Sequence, residues 1–272
     1  MKITAKNLVK KYKGRSIVKE VSLEVNSGEI VGLLGPNGAG KTTCFYSIVG
    51  LVALDQGNVF LDSKDITKYP LYMRARMGVG YLPQEASIFR DLSVEDNIMT
   101  VLEMQKESKV ERKKKVEELL EDFSIKHIRK NLGRVLSGGE RRRTEMARSL
   151  AMDPKFILLD EPFAGVDPIA VEDMQNLVLS LKKRNIGVLI TDHNVQETLS
   201  IIDRAYLMYE GKVLKSGTSE DLSKDEIVKR VYLGEKFELK KREILDIKTK
   251  NYEKESLKED NEIANRDYEK NI

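Results

Sequence analysis

A single cysteine, Cys44, stands in the 272 residues. No disulfide can form within the chain, and a reducing compartment is the simple expectation. Long apolar runs are missing as well. No stretch approaches the roughly 20 consecutive apolar residues that a helix needs to cross a bilayer. Service to a membrane would have to go through a partner. Met1 to Tyr12 carries lysines with no apolar run behind them, and does not read as a signal peptide. Neither sign of charge dominates: 47 basic against 44 acidic residues leave a net charge of +3. That balance makes no demand for an anionic membrane, and no nucleic-acid partner is expected. What is present is a globular balance rich in charge, 40% hydrophobic and 33% charged. The length suits one large domain or two small ones.

Ile3 to Val9 and Ser16 to Val25 read as strands around a Lys/Gly turn. Ile30 to Leu34 is a buried-strand run ending in a glycine-rich loop, after which Phe45 to Val52 has helical spacing. Gly57 to Leu61 is a further strand. Val94 to Met104 and Val110 to Phe123 are helical patterns dense in lysine and glutamate, the first capped by Ser93. They look like a helical subdomain, about residues 90–150, inserted into an α/β core. Strands and helices then alternate: Phe156 to Asp160, Ile169 to Arg184, Val188 to Thr191, a short helix from Val195, then Arg204 to Tyr209 and Lys212 to Lys215. That order implies a largely parallel sheet with its ligands at the C-terminal ends of the strands. Lys240 to Ile272 differs. More than half of it is charged, the signs nearly cancel, and its apolar residues lack a period. That is the pattern of a solvated helix or a disordered tail, with residues 1–239 as the folded domain.

Gly35-Pro36-Asn37-Gly38-Ala39-Gly40-Lys41-Thr42-Thr43 follows an apolar strand and opens a helix. In that context G-x-x-x-x-G-K-[ST] is a phosphate site. Glycines let consecutive backbone N–H groups face one anion, and the helix starting near Lys41 aims its unpaired N–H groups at the same point. Lys41 brings a full positive charge to the β- and γ-phosphates of a nucleotide, and Thr42 offers a hydroxyl to Mg²⁺. Cys44 reads as a small residue packing beneath the loop rather than a redox switch. Phe156 to Asp160 is an apolar strand ending in two carboxylates, Asp160 and Glu161. Asp160 suits a Mg²⁺ contact, direct or through water. Glu161, turned the other way by strand alternation, can accept a proton from the water that attacks the γ-phosphate.

Leu136-Ser137-Gly138-Gly139-Glu140 is a helix start in which Ser137 caps and Glu140 completes a capping box. Capping does not explain two glycines in a first turn, where each costs about 1 kcal/mol against alanine. They make sense if the helix end must approach a phosphate closely. With no second phosphate loop in the chain, that phosphate belongs to a second copy.

With these motifs in this order, residues 2–235 resemble the ATP-binding cassette family. The resemblance implies an α/β fold: a P-loop NTPase core with a mostly parallel sheet, an antiparallel β subdomain and the inserted helical subdomain. It implies ATP and Mg²⁺ as ligands, ATP hydrolysis coupled to transport, and a homodimer. Tyr12 matches the aromatic that stacks on adenine. Gln84, in Tyr81-Leu82-Pro83-Gln84, matches the loop that touches Mg²⁺ and contacts the membrane partner. Ser137, Gly138 and Gly139 match the signature that completes the other copy's site. Asp167, in Gly165-Val166-Asp167-Pro168, matches the loop linking the two sites. His193, in Thr191-Asp192-His193, matches the histidine that contacts the γ-phosphate.

Ser87 to Ser93, Glu161 to Ala170, Thr191 to Asn194 and Arg230 to Phe237 resemble one branch of the family, the lipopolysaccharide-export ATPases. That branch implies a cytoplasmic homodimer, peripheral on the inner membrane, under two transmembrane permease subunits (LptF/LptG-like) that dock near Gln84, Phe89 and Arg90. Ordinary packing at the subdomain joint fits Phe89 equally well. Cys44, in place of a threonine, and the Lys240 to Ile272 extension depart from the branch. Branched-chain amino-acid importer ATPases are the main rival for cargo. Soluble ATP-driven clamps on ribosomes or DNA are the rival class, although they usually carry two cassettes or long coiled coils. Arg112 to Lys115 reads as a solvated helix face and His127 as a surface histidine. Arg141-Arg142-Arg143 fits either an aid to nucleotide or membrane partner, or a solvated helix.

Overall fold

The computed structural model describes residues 1–164 and 168–239. Asp167, with its expected linking role, and the expected Lys240 to Ile272 tail lie outside the described residues.

Strands β1 (Lys2–Tyr12) and β2 (Arg15–Asn26) form a hairpin that runs past the apolar alternation at both ends, where Lys2 faces Asn26 and Tyr12 faces Arg15. Then come β3 (Ile30–Leu34), α1 (Lys41–Val49), β4 (Gln56–Leu61), β5 (Lys64–Asp65), α2 (Leu71–Arg76) and β6 (Val79–Leu82). The inserted helical part is α3 (Val94–Leu102), α4 (Lys109–Asp122) and α5 (Gly138–Leu150). The chain returns through β7 (Phe156–Asp160), α6 (Pro168–Lys183), β8 (Gly187–Thr191), α7 (Val195–Leu199), β9 (Arg204–Tyr209) and β10 (Lys212–Thr218), followed by α8 (Ser219–Lys224) and α9 (Glu226–Val228). One sheet is antiparallel, in the order β2-β1-β4-β5. The other runs β10-β9-β3-β8-β7-β6, parallel throughout except for β10 on its edge. The expected α/β architecture, with its antiparallel part and helical insertion, is the one observed.

The central strands are buried on both faces, and their alternation sorts side chains between two cores. Ile30 and Leu34 of β3, Ile157 and Leu159 of β7, and Val188 and Ile190 of β8 pack with the helical insertion and α6. Val31, Leu33, Phe156, Leu158 and Leu189 point the opposite way and pack with α1 and the antiparallel sheet. Near-continuous apolar runs are what a parallel sheet covered on both faces requires. Strand β6 escapes the sequence pattern because it is short, holds Gly80 and is followed by Pro83; its pairing with β7 supplies what the pattern lacks. Ser93, Ser108 and Ser137 cap the three inserted helices, the last two through capping boxes with Glu111 and Glu140. Helix α4 buries Val116, Leu119 and Leu120 and leaves Lys113 and Lys114 in solvent. Among the described residues, no helix is long and apolar enough to cross a membrane.

Candidate active site

Strand β3 ends at Leu34 and the chain turns through Gly35 to Gly40 into α1. Contacts demand glycine at both ends of that turn. A Cβ on Gly35 would sit 2.1 Å from the Met208 carbonyl oxygen, and one on Gly40 would sit 2.6 Å from that of Ile17. The loop is thus pressed against β9 on one side and β2 on the other. Gly40 starts α1 without a side-chain cap, and the first turn holds no acidic residue. The N-terminal N–H groups are left for an anion. Lys41 Nζ donates to the carbonyl oxygens of Gly35 (2.6 Å) and Pro36 (3.0 Å), which arches its charge over the loop. Burial lowers the Lys41 pKa, and the nearby Glu161 carboxylate opposes that shift. Thr42 is exposed and Thr43 half-buried. Cys44 lies buried beneath, its thiol pushed up to about 12 by desolvation. Tyr12, at the tip of the β1–β2 hairpin, is 47% exposed, with the Lys10 ammonium over its ring.

Strands β7 and β8 are paired neighbours, Asp160 opposite Thr191, so the residues following each strand meet. Asp160 is 2% exposed. Desolvation raises its carboxyl pKa, and the Tyr46 and Tyr81 hydroxyls oppose the shift, Tyr81 Oη standing 3.4 Å from Oδ2. The direction of Glu161 has a different origin from the strand alternation expected. Strand β7 stops at Asp160, Glu161 takes a left-handed φ of 44°, and its N–H donates to the Thr191 carbonyl at 2.7 Å. That turn brings its carboxylate to Gln84 Nε2 (2.7 Å) and His193 Nδ1 (3.2 Å). Asp192, fully buried, ties the two turns together by accepting from the N–H groups of Phe163 (2.9 Å) and Asn194 (2.7 Å). Gln84, Glu161, His193 and, through its charge, Lys41 share one corner at the C-terminal ends of β6, β7, β8 and β3. Doubly wound sheets place ligands along that edge.

Ser137 and Gly138 begin α5 at the surface, the Ser137 hydroxyl accepting from the Glu140 N–H at 3.3 Å. A Cβ on Gly138 would meet nothing within 4 Å in this chain. Gly138 and Gly139 border a small cleft of about 100 Å³ together with Gln84, Glu161, Arg141 and Arg142. The three arginines separate, and Arg141 alone is exposed. Arg143 pairs with Asp173 at 2.9 Å. Arg142 is 8% exposed; its Nη1 donates to the Pro83 carbonyl (2.8 Å) and stands 3.3 Å from Glu145 Oε2. Glu145 Oε1 in turn accepts from the N–H groups of Ser87 (2.6 Å) and Ile88 (3.0 Å). Helix α5 therefore grips the segment that follows Gln84. Sequence reasoning did not single out Arg142 for this, although the four-residue spacing of Arg142, Met146 and Leu150 puts it on the buried stripe. Asp192, Tyr46 and Tyr81 carry no comparable signal. Phe89 is 47% exposed: its ring lies at the surface, 4.9 Å from the Arg148 guanidinium, while Asn97 clamps its backbone N–H (2.9 Å) and carbonyl (3.0 Å). Arg90 and His127 are exposed.

The ABC transporter family model matches residues 18–164, which take in the phosphate loop, Gln84, Ser137 to Gly139, Asp160 and Glu161. The lipopolysaccharide export system ATP-binding protein LptB of Haemophilus influenzae is 60% identical over 238 residues, covering 87% of this chain and 99% of that protein. The protein of the same name from Escherichia coli K12 is 59% identical with the same coverage. Among solved structures, the ADP conformation of MJ1267, an ATP-binding cassette of an ABC transporter, matches with a TM-score of 0.77 at 30% identity, covering 86% of this chain and 100% of that one. CbiO1 of Clostridium perfringens, part of the ABC transporter complex cbiONQ, matches with a TM-score of 0.75 at 28% identity, covering 86% and 95%. The family model spans more than half of the chain, and these relatives cover 86–87% of it, in sequence and in fold. The chain therefore belongs to the ABC transporter family, as an ATP-binding, ATP-hydrolysing cassette.

Proposed function

We propose that this chain powers the extraction of lipopolysaccharide from the inner membrane and its export, as a homodimer on the cytoplasmic face beneath two transmembrane permease subunits (LptF/LptG-like). The observation that carries this reading is the 60% identity to LptB across 99% of that protein's length. Likeness over a whole chain reaches well beyond the motifs that serve the nucleotide. The half-exposed Phe89 ring and the exposed Arg90, just past Gln84, support docking of the permease subunits there.

In this reading the N–H groups from Gly38 to Thr43, with Gly35 to Asn37 shaping the turn, cradle the ATP phosphates, and Lys41 neutralises the β- and γ-oxygens. Tyr12 stacks on the adenine. Mg²⁺ fits the donors present. It takes oxygen ligands and draws most of them from substrate phosphates and water. The Thr42 hydroxyl, the buried Asp160 carboxylate and Gln84 are enough protein for such an ion. No cluster of three or more metal-binding His, Cys, Asp or Glu occurs among the described residues, and none is needed. When bound, the ion neutralises charge on the phosphate oxygens. Glu161 takes the proton of the attacking water. Gln84 and His193 fix its carboxylate, and His193 faces the γ-phosphate. The Ser137-Gly138-Gly139 turn of a second copy closes on that phosphate, and Asp167 links the two sites. Loss of the γ-phosphate removes the bridge and the dimer opens.

Glu161→Gln tests the chemistry, since it keeps the size of the side chain and cannot take a proton. ATP affinity should hold while turnover falls about 10²–10⁴-fold and an ATP-bound dimer accumulates on a sizing column. Turnover within about threefold of wild type would refute the role of Glu161. Purification in detergent tests the cargo. Recovery with permease subunits that carry lipopolysaccharide supports the reading; recovery with amino-acid permeases, ribosomes or DNA refutes it.

A further inference from the structure

Arg74, on α2, is the largest side chain among those buried below 2% exposure, at 1%. All of its hydrogen bonds go to backbone carbonyls. Nε donates to Tyr69 (2.7 Å) and Nη2 to Thr67 (3.0 Å), while Nη1 donates to Ser47 (3.0 Å) and to Ile48. Ser47 and Ile48 lie in the last turn of α1, the helix whose first turn opens at Lys41. The four carbonyls at a helix C-terminus have no partner within the helix, and a cation there complements the helix dipole. Gly50, which ends α1 in a left-handed conformation, admits the guanidinium: a Cβ on Gly50 would stand 2.7 Å from Arg74 Nε. Burial lowers the Arg74 pKa to about 10, so the group is charged at neutral pH.

Helix α1 has nine residues, so its two ends are about 13 Å apart at 1.5 Å per residue. Arg74 holds the end away from the phosphate loop. Helix α2 also runs directly into β6, and β6 into Pro83 and Gln84. One buried guanidinium thus joins the helix of the phosphate loop to the segment that delivers Gln84. We infer that Arg74 is a positioning residue for nucleotide binding: it fixes α1 along its axis and couples the phosphate loop to the Thr67–Leu82 segment. The inference rests on the reading that Gly35 to Thr43 hold the triphosphate.

The test is ATP affinity in Arg74→Lys and Arg74→Met, with hydrogen exchange read across the whole chain. Lysine keeps the charge but cannot span carbonyls from two elements as the planar fork does. Both variants should bind ATP about 10- to 100-fold more weakly, the scale of a misplacement near 1 Å, with faster amide exchange in residues 38–43. A folded variant with ATP affinity within about threefold of wild type would overturn the inference, because a merely stabilising arginine would lower the melting temperature alone. Wild-type protein supplies an independent measurement if the variants do not fold. Coupling is reciprocal, so ATP should slow exchange across residues 67–76, and no protection there would overturn the inference. Lys41→Ala separates the two layers. Unchanged ATP affinity in that variant refutes the reading of the loop. Weakened affinity there, with normal affinity in Arg74→Lys, refutes the role of Arg74 alone.

Discussion

Gly138→Ala separates what the chain needs to fold from what it needs to turn over. A Cβ at this position meets nothing within 4 Å, and Gly138 is not among the residues with positive φ. The methyl is therefore free of strain in the isolated chain. Alanine is favoured over glycine in a helix by up to about 1 kcal/mol. For a domain of this size that is a rise in melting temperature of at most about 2–4 °C. Hydrolysis should move the other way. If the first turn of α5 closes on the nucleotide of a second copy, the methyl holds it back by roughly 1 Å, and such a displacement costs up to about 10²-fold in rate. The measurements are thermal melting, ATP binding at low protein concentration, and steady-state ATPase at high concentration. The expected result is unchanged or raised stability, unchanged binding and a turnover loss of about 10- to 100-fold. Wild-type turnover would refute the account of these glycines, and a large loss of stability would refute the local geometry.

Arg142→Met should cost about 1–3 kcal/mol in urea denaturation, because it leaves the Pro83 carbonyl without its donor and the buried Glu145 with Arg148 as its remaining neighbouring cation. A change near zero would contradict the burial of that pair. Cys44, with its thiol pushed up to about 12, should react with iodoacetamide near pH 8 only as fast as the protein opens; rapid labelling of the native chain would contradict its place under the loop. Asp160 has a raised folded pKa, so its ionisation opposes folding. The penalty is absent below the ordinary value of 3.8 and complete above the raised one. Asp160→Asn should therefore melt higher near pH 7, lose that gain on acidification, and lose hydrolysis at every pH. A lower melting temperature at neutral pH would show that the Tyr46 and Tyr81 contacts outweigh desolvation.

The sequence was most legible where a physical demand selects a residue type at a fixed spacing. The apolar run Ile30 to Leu34 and the strand Phe156 to Asp160 have the same bounds in the structure, because a near-continuous apolar run is what a strand buried on both faces requires. The close approaches at Gly35 and Gly40 are of the kind a phosphate loop demands. What stayed hidden depends on partners remote in sequence. Arg74 and Arg76 look alike on paper, yet one is buried and the other exposed, and the difference is which carbonyls lie within reach. Glu161 owes its direction to a backbone turn that no neighbouring residue announces. Asp192 is a buried acid because the turns after β7 and β8 both supply it with N–H groups, and that follows only once the two strands are known to pair.

The bond from Arg142 to the Pro83 carbonyl makes the start of α5 and the approach to Gln84 one mechanical piece. In a symmetric pair, whatever draws α5 toward the other copy's nucleotide would also shift Gln84 beside this copy's own Glu161. Each copy would then sense the loading of its mate. A half-loaded pair would sit idle, and the dependence of ATPase rate on ATP would be sigmoidal, with a Hill coefficient approaching ~2, the number of sites. Cutting that bond would weaken the link and lower the Hill coefficient, while the Glu145 bonds to Ser87 and Ile88 keep part of it.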